Sequence, residues 1–236
     1  MNMLLKIPVY ILFSGLLLLP LHLHAQKNMP GFIVHFNPVF NGKPAAAGLI
    51  AGPFKGDSIA IHTLRFYLSN FVFYNNGKET WREKNSCHLL DMEEEQTLSI
   101  TFASTGIGFD AIKFCLGTDS LANVSGAMGG DLDPTKGMYW AWNSGYINFK
   151  IEGYYEKCPA RNHRFQFHIG GYMPPFQTVQ TIELPVSNKH EIQVDIELSG
   201  FFEPIDLAKT HSIMSPSGAS AELAKLLAKT FRIHEK

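Results

Sequence analysis

Residues 129–153 read GGDLDPTKGMYWAWNSGYINFKIEG, and the change of character along this stretch decides the kind of fold the chain adopts. The first part is turn chemistry: Asp131, Asp133-Pro134 and Lys136-Gly137 supply tight backbone geometry and local side-chain caps. Trp140 and Trp142 follow at a spacing of two. The last part alternates, with Ile147, Phe149 and Ile151 opposed to Asn148, Lys150 and Glu152, the two-residue period of a half-buried strand. A strand that begins early enough points both indoles to one face. Two such rings beside a loop rich in aspartate and glycine are either a corner of the core or the wall of a site.

The same period recurs on both sides of that stretch. Phe32–Asn37 alternates, Ser58–Tyr74 is a long β-rich run read as one bent strand or two, and Asn75-Asn76-Gly77 ends it. His88–Met92, Thr97–Phe102, Ala111–Leu116, Arg164–Gly171 and Val179–Leu184 read as further strands. Glu191–Leu198 is the clearest, with Ile192, Val194, Ile196 and Leu198 inside. Gly42–Phe54 reads as a loop or irregular edge. The one good helix lies near the end, with Ser220 as its N-cap and Leu223, Leu226, Leu227 and Phe231 as its stripe. Strands separated by turns, without βαβ alternation, predict an all-β fold: an antiparallel β-sandwich with one short C-terminal helix.

Residues 1–25 read as a secretory signal, with Lys6, the apolar run Ile7–Leu19 and the small-residue site Leu23-His24-Ala25. The run is short for a membrane span, and no cysteine at the cleavage point suggests a lipid anchor. Residues 26–236 are then one exported domain, periplasmic or secreted. Without Lys6 the mature chain carries 19 basic and 21 acidic side chains, formally −2. That balance gives no electrostatic case for nucleic acid or an anionic membrane. Of the three cysteines, Cys115 is expected to be the buried thiol, and Cys87 and Cys158, in polar surroundings, the pair for a disulfide. Asn123-Val124-Ser125 matches a glycosylation sequon and reads by default as an ordinary turn.

Nucleophile elbows, H-E-x-x-H, phosphate-binding glycine loops and C-x-x-C are absent, and nothing nominates a catalytic base. Ten histidines, eight of them beyond residue 25, point to a metal instead. His35 and His168 each lie opposite the large apolar residues of a strand, and His211 sits in a loop before the helix. Neutral imidazole suits copper, zinc and nickel. His62 shares its face with Leu64, Phe66 and Leu68 and reads as packed. None of those eight histidines pairs with another at a local ligand spacing.

GDLDPTKGMYWAWNSGYINFKIEG followed by FHIGGY, with LRFYLSNF, FCLGTDS and HSIMSP, resembles the MbnP-like family of exported copper-binding β-sandwich proteins. The resemblance implies a mononuclear copper site built from histidines. It also implies a nearby tryptophan, Trp142 or Trp140 by position, that a partner di-haem enzyme related to cytochrome c peroxidases oxidises to kynurenine. His168 of FHIGG is the ligand it offers, with His35 and His211 as the second and third. Asp131, Asp133 and Asn143 would support the site by hydrogen bonding. The implied role is copper sequestration or delivery, without enzymatic activity. The competing reading is an exported recognition module that uses Trp140 and Trp142 as a platform for sugar or peptide.

Overall fold

The long apolar run is a single 19-residue strand, Asp57–Asn75, bent where Asn70 takes a φ of 56°. The computed structural model describes residues 31–103, 108–187 and 190–234, so the expected signal segment lies outside the described residues. In chain order the strands are β1 (Phe32–Phe40), β2 (Lys43–Pro44), β3 (Ile50–Phe54), β4 (Asp57–Asn75), β5 (Lys78–Arg82), β6 (Cys87–Asp91), β7 (Ser99–Phe102) and β8 (Ala111–Leu116). They continue with β9 (Tyr139–Trp140), β10 (Gly145–Tyr155), β11 (Arg164–Gly170), β12 (Gln180–Pro185), β13 (Glu191–Glu197), β14 (Ser212–Ile213) and β15 (Phe231–Ile233). Among the described residues three α-helices interrupt them: α1 (Ser120–Val124), α2 (Leu198–Phe202) and α3 (Gly218–Ala228).

Two sheets result. The small one runs β15-β13-β1-β2 with β7 also on β1, and the large one runs β12-β8-β4-β10-β11-β14 with β3, β5 and β6 also on β4. Among the described residues, pairing is antiparallel except at β1–β13 and β11–β14. β1 and β13 stand at opposite ends of the chain, so no hairpin dictates their relative direction. Aromatic rings fill the space between the sheets: Phe36 of β1 packs on Phe71 of β4 and Phe114 of β8, with centroids 6.4 and 5.8 Å away.

Local irregularities explain where alternation misleads. Gly153 of β10 pairs with Ile61 while Glu152 pairs with Thr63, so His62 is an extra residue in β4 and leaves the face of Leu64 and Phe66. A second bulge in β10, between Ile147 and Phe149, sends Ile147 away from the main core. The last helix is capped by Ser217; Ser220 is its N3 residue and closes the capping box. Phe231 belongs to β15, not to the helical stripe, and Leu198 begins α2 instead of ending β13.

All three cysteines are free, so the expected Cys87–Cys158 disulfide is not formed. Cys158 is buried in the main core with its Sγ on the Arg164 carbonyl at 3.1 Å, whereas Cys87 packs against a different cluster. Cys115 is only half-buried, because its neighbours Phe114 and Leu116 take the core-facing phase. Asn123 of the sequon is buried, and its Oδ1 accepts the Tyr146 N–H at 2.8 Å, tying α1 to β10.

Candidate metal centre

Phe66 and Leu68 point into the core, so Tyr67 between them faces outward, as does Leu89 beside Leu90. With Leu132, Met138, Trp140, Tyr146 and Ile147 they form a smaller apolar cluster on the outer face of the large sheet. The turn-rich loop covers it. The Tyr67 hydroxyl donates to the Asp131 carbonyl at 3.0 Å and the Tyr146 hydroxyl to the Leu132 carbonyl at 2.9 Å. Burial pushes the Tyr67 hydroxyl far above its ordinary value, so it remains a donor at every physiological pH.

The expected supporting residues divide three ways. Asp131 bridges Lys136 Nζ at 2.7 Å and the Leu89 N–H at 3.1 Å, clamping the loop to β6. Asp133 accepts from the Thr135 N–H and hydroxyl at 2.8 and 2.7 Å and caps a tight turn. Asn143 is exposed in the turn between β9 and β10.

The two indoles precede β10 and so are not carried by a common long strand. Trp140 lies in β9, paired with Gly145, while Trp142 is in the turn, yet their ring centroids are 5.5 Å apart. Trp140 is 5% exposed and Trp142 65%. The ring of Trp140 rests on Gly170 of β11: a Cβ at that glycine would lie 2.8 Å from Trp140 Cζ3 and 2.4 Å from the Tyr146 carbonyl oxygen. Gly170 is therefore a contact surface for the indole. His168, two residues earlier, shares that face of β11, about 7 Å along the strand.

His168 is 9% exposed, and its Nε2 is 2.6 Å from Glu152 Oε1 on β10, one diagonal step across the sheet. The His168 hydrogen bond, offset in part by burial, holds the Glu152 carboxyl below the usual glutamate range, so it is an ionised acceptor. Nε2 then carries the proton, and Nδ1 of neutral His168 keeps its lone pair. A carboxylate behind one nitrogen is the arrangement that orients a metal-binding imidazole. Lys150, paired with His168 across the ladder, is shifted down by burial and caps the Gly137 carbonyl. Alternation places Lys150 and Glu152 together on the outer face of β10 and is the sequence signal for Glu152; Gly170 carries no such signal.

The structure does not gather the three expected imidazoles. Val34, Phe36, Phe167 and Ile169 all enter the one core, so His35 and His168 project from opposite outer faces of the sandwich. His211 lies at the far edge of β11, where its carbonyl accepts the Gln166 N–H at 2.8 Å. It lines a cleft with Arg161, Arg164 and Gln166 that does not include His168, and its buried Nδ1 has no protein partner. Among the described residues, no three His, Cys, Asp or Glu side chains are gathered into a cage for an ion. What the donors supply is one oriented imidazole, on the same face of β11 as the glycine that carries the Trp140 ring.

Lowered carboxyl pKa has a sign. Glu152 stabilises the fold fully above its ordinary value of 4.5, and that contribution disappears as pH falls through the lower folded value. The melting-temperature gap between wild type and Glu152→Gln is therefore expected to be fully present at pH 5 and to shrink in more acidic buffer. A gap that widens as the pH is taken down from 4.5 would contradict the pairing.

Strands in two aromatic-packed sheets, with a loop-capped indole pair on one outer face, define a β-sandwich whose distinctive feature is that face. The sequence profile of the MbnP family matches residues 30–215, and the chain belongs to that family. MbnP from Methylosinus trichosporium has a solved structure of similar fold: TM-score 0.61 at 16% identity, covering 81% of this chain and 86% of that one. No curated protein sequence matches the chain. No helix among the described residues is long and apolar enough to cross a membrane.

Proposed function

We propose that this chain is an exported, non-enzymatic copper-binding protein that holds an ion at the Trp140–His168 face for sequestration or delivery. Family membership supports a copper-related, periplasmic role. The observation that carries the particular site is Trp140 seated on Gly170, two residues along the same face from an imidazole whose Nε2 is taken by Glu152. His168 Nδ1 is the ligand atom in this reading, and Glu152 fixes the ring. His35 and His211 take no part in it.

Trp142, being exposed, is the indole that a di-haem peroxidase-like partner reaches. With peroxide as oxidant, two oxygen atoms enter across the C2–C3 bond of the pyrrole ring while two peroxides are reduced to water. Hydrolysis then releases formate and leaves kynurenine. Intact mass of protein made beside its natural partner should show a net gain of one oxygen and loss of one carbon on the Trp142 peptide.

Copper titration of the mature protein is expected to quench tryptophan fluorescence with a saturable equivalent. His168→Ala removes the ligand itself and should weaken that quenching phase by at least the roughly 10–100-fold that losing a ligand's hydrogen-bond partner costs. Unchanged quenching in His168→Ala overturns the site. A fluorescence response to sugar or peptide without metal would replace it with the recognition reading.

A further inference from the structure

The outer face of the small sheet carries a row of polar side chains that the Trp140–His168 site does not use. β7, β1 and β13 lie side by side, so Ser99 is level with His35 and His35 with Gln193. The chain leaving β15 adds His234, whose N–H donates to the Gln193 carbonyl at 2.9 Å. Ser99, His35, Gln193 and His234 thus cross the face as one row, and a cleft of about 640 Å³ opens over it.

Both imidazoles in the row are held through Nδ1. His234 Nδ1 is 2.9 Å from Oδ2 of Asp195, a carboxylate only 6% exposed that also receives Asn37 Nδ2 at 3.4 Å. His35 Nδ1 is 2.8 Å from Ser99 Oγ. An ionised carboxylate accepts only, so Nδ1 of His234 carries the proton and Nε2 presents a lone pair. A hydroxyl can hold His35 in the same tautomer. The charged residues lining the cleft are Glu95 and Asp195, with no lysine or arginine among them, apart from the histidines themselves. Two carboxylates without a fixed cation favour a positive occupant over an anion. Two interstrand steps of about 4.8 Å separate the backbones that carry the two rings, a distance within which two imidazole side chains can share one ion.

We propose that Nε2 of His35 and Nε2 of His234 hold a divalent transition-metal ion on this face, with Asp195 and Ser99 orienting the rings and water completing the sphere. Two neutral nitrogens and oxygen suit Cu(II) first in the divalent affinity order. The site lies across the thickness of the sandwich from His168 and does not rest on the reading of that face. A protein loaded at both positions would carry two ions, one beside the indoles and one exposed to exchange.

The test uses the full mature chain in the His168→Ala background, titrated with Cu(II). One equivalent is expected to remain, with nitrogen hyperfine structure from two imidazoles in its electron paramagnetic resonance spectrum. Adding Asp195→Asn should weaken it about 10–100-fold, and adding His234→Ala at least as much. The His234 side chain is 46% exposed, so its removal should leave the protein folded, with a cooperative thermal melt to check it. In wild type, substoichiometric Cu(II) should broaden the His35 and His234 ring proton signals together. The proposal falls if neither or only one ring is broadened, if His234→Ala binds like its parent, or if His168→Ala removes all copper. Failure of the indole-face reading looks different: His168→Ala would then titrate as wild type.

Discussion

Phe114→Ala is expected to lower the free energy of unfolding by about 3–5 kcal/mol, the usual range for deleting a large buried ring. Phe114 is fully buried on β8 of the large sheet. Its centroid lies 5.0 Å from Phe71 on β4 of the same sheet, and 5.8 and 5.9 Å from Phe36 and Phe231 on the small one. The ring is therefore a rivet between layers, and its partners come from three strands that cannot close on the vacancy without moving both sheets. Beyond lost transfer energy, the truncation forfeits aromatic edge contacts with Phe36 and Phe231. Equilibrium urea denaturation should show a lower midpoint with an unchanged slope. A loss below about 1.5 kcal/mol would mean that the layers collapse easily, and that the rings are not the element holding the sandwich shut.

Much of this was legible in the residues, because a strand with one face in a core must alternate. Phe32–Phe36, Phe165–Ile169 and Ile192–Ile196 all point where their spacing said they would. Pairing direction was not legible for β1 and β13, since nothing local joins two segments so distant in sequence. Bulges were not legible either: the extra residue at His62 and the irregularity at Asn148 each shift the phase by one, and a single step exchanges faces. The candidate site was half legible for a related reason. His35 and His168 were each correctly read as opposite the apolar face of their strand, but every sandwich has two such outer faces. The alternation of one strand carries no information about which of them it occupies. Cys87 and Cys158 failed in the same way, as polar neighbours in sequence say little about which cluster a thiol enters.

Gly153→Val should likewise damage the large sheet severely, costing about 3 kcal/mol or more. The backbone at Gly153 is not in the left-handed region, so the requirement is one of space. A Cβ there would lie 2.1 Å from the Ala60 carbonyl oxygen and 2.5 Å from Phe165 Cζ. Phe165 is the cross-strand partner of Gly153, and its ring covers the glycine. The ring can rotate away at some cost in packing. The Ala60 carbonyl belongs to β4, and yielding there means parting β10 from the strand that runs through the middle of the sheet. The consequence reaches the candidate centre, because Glu152 is the preceding residue and sits at the bulge where β10 and β4 change register. Displacing β10 moves the carboxylate that holds His168, so loss of stability and loss of the copper-dependent tryptophan quenching should appear together in Gly153→Val. Glu152→Gln should weaken the quenching while leaving most of the stability. If Gly153→Val unfolds at the wild-type urea midpoint, the close approach of β10 and β4 at this bulge is wrong, and so is the placement of Glu152 behind the imidazole.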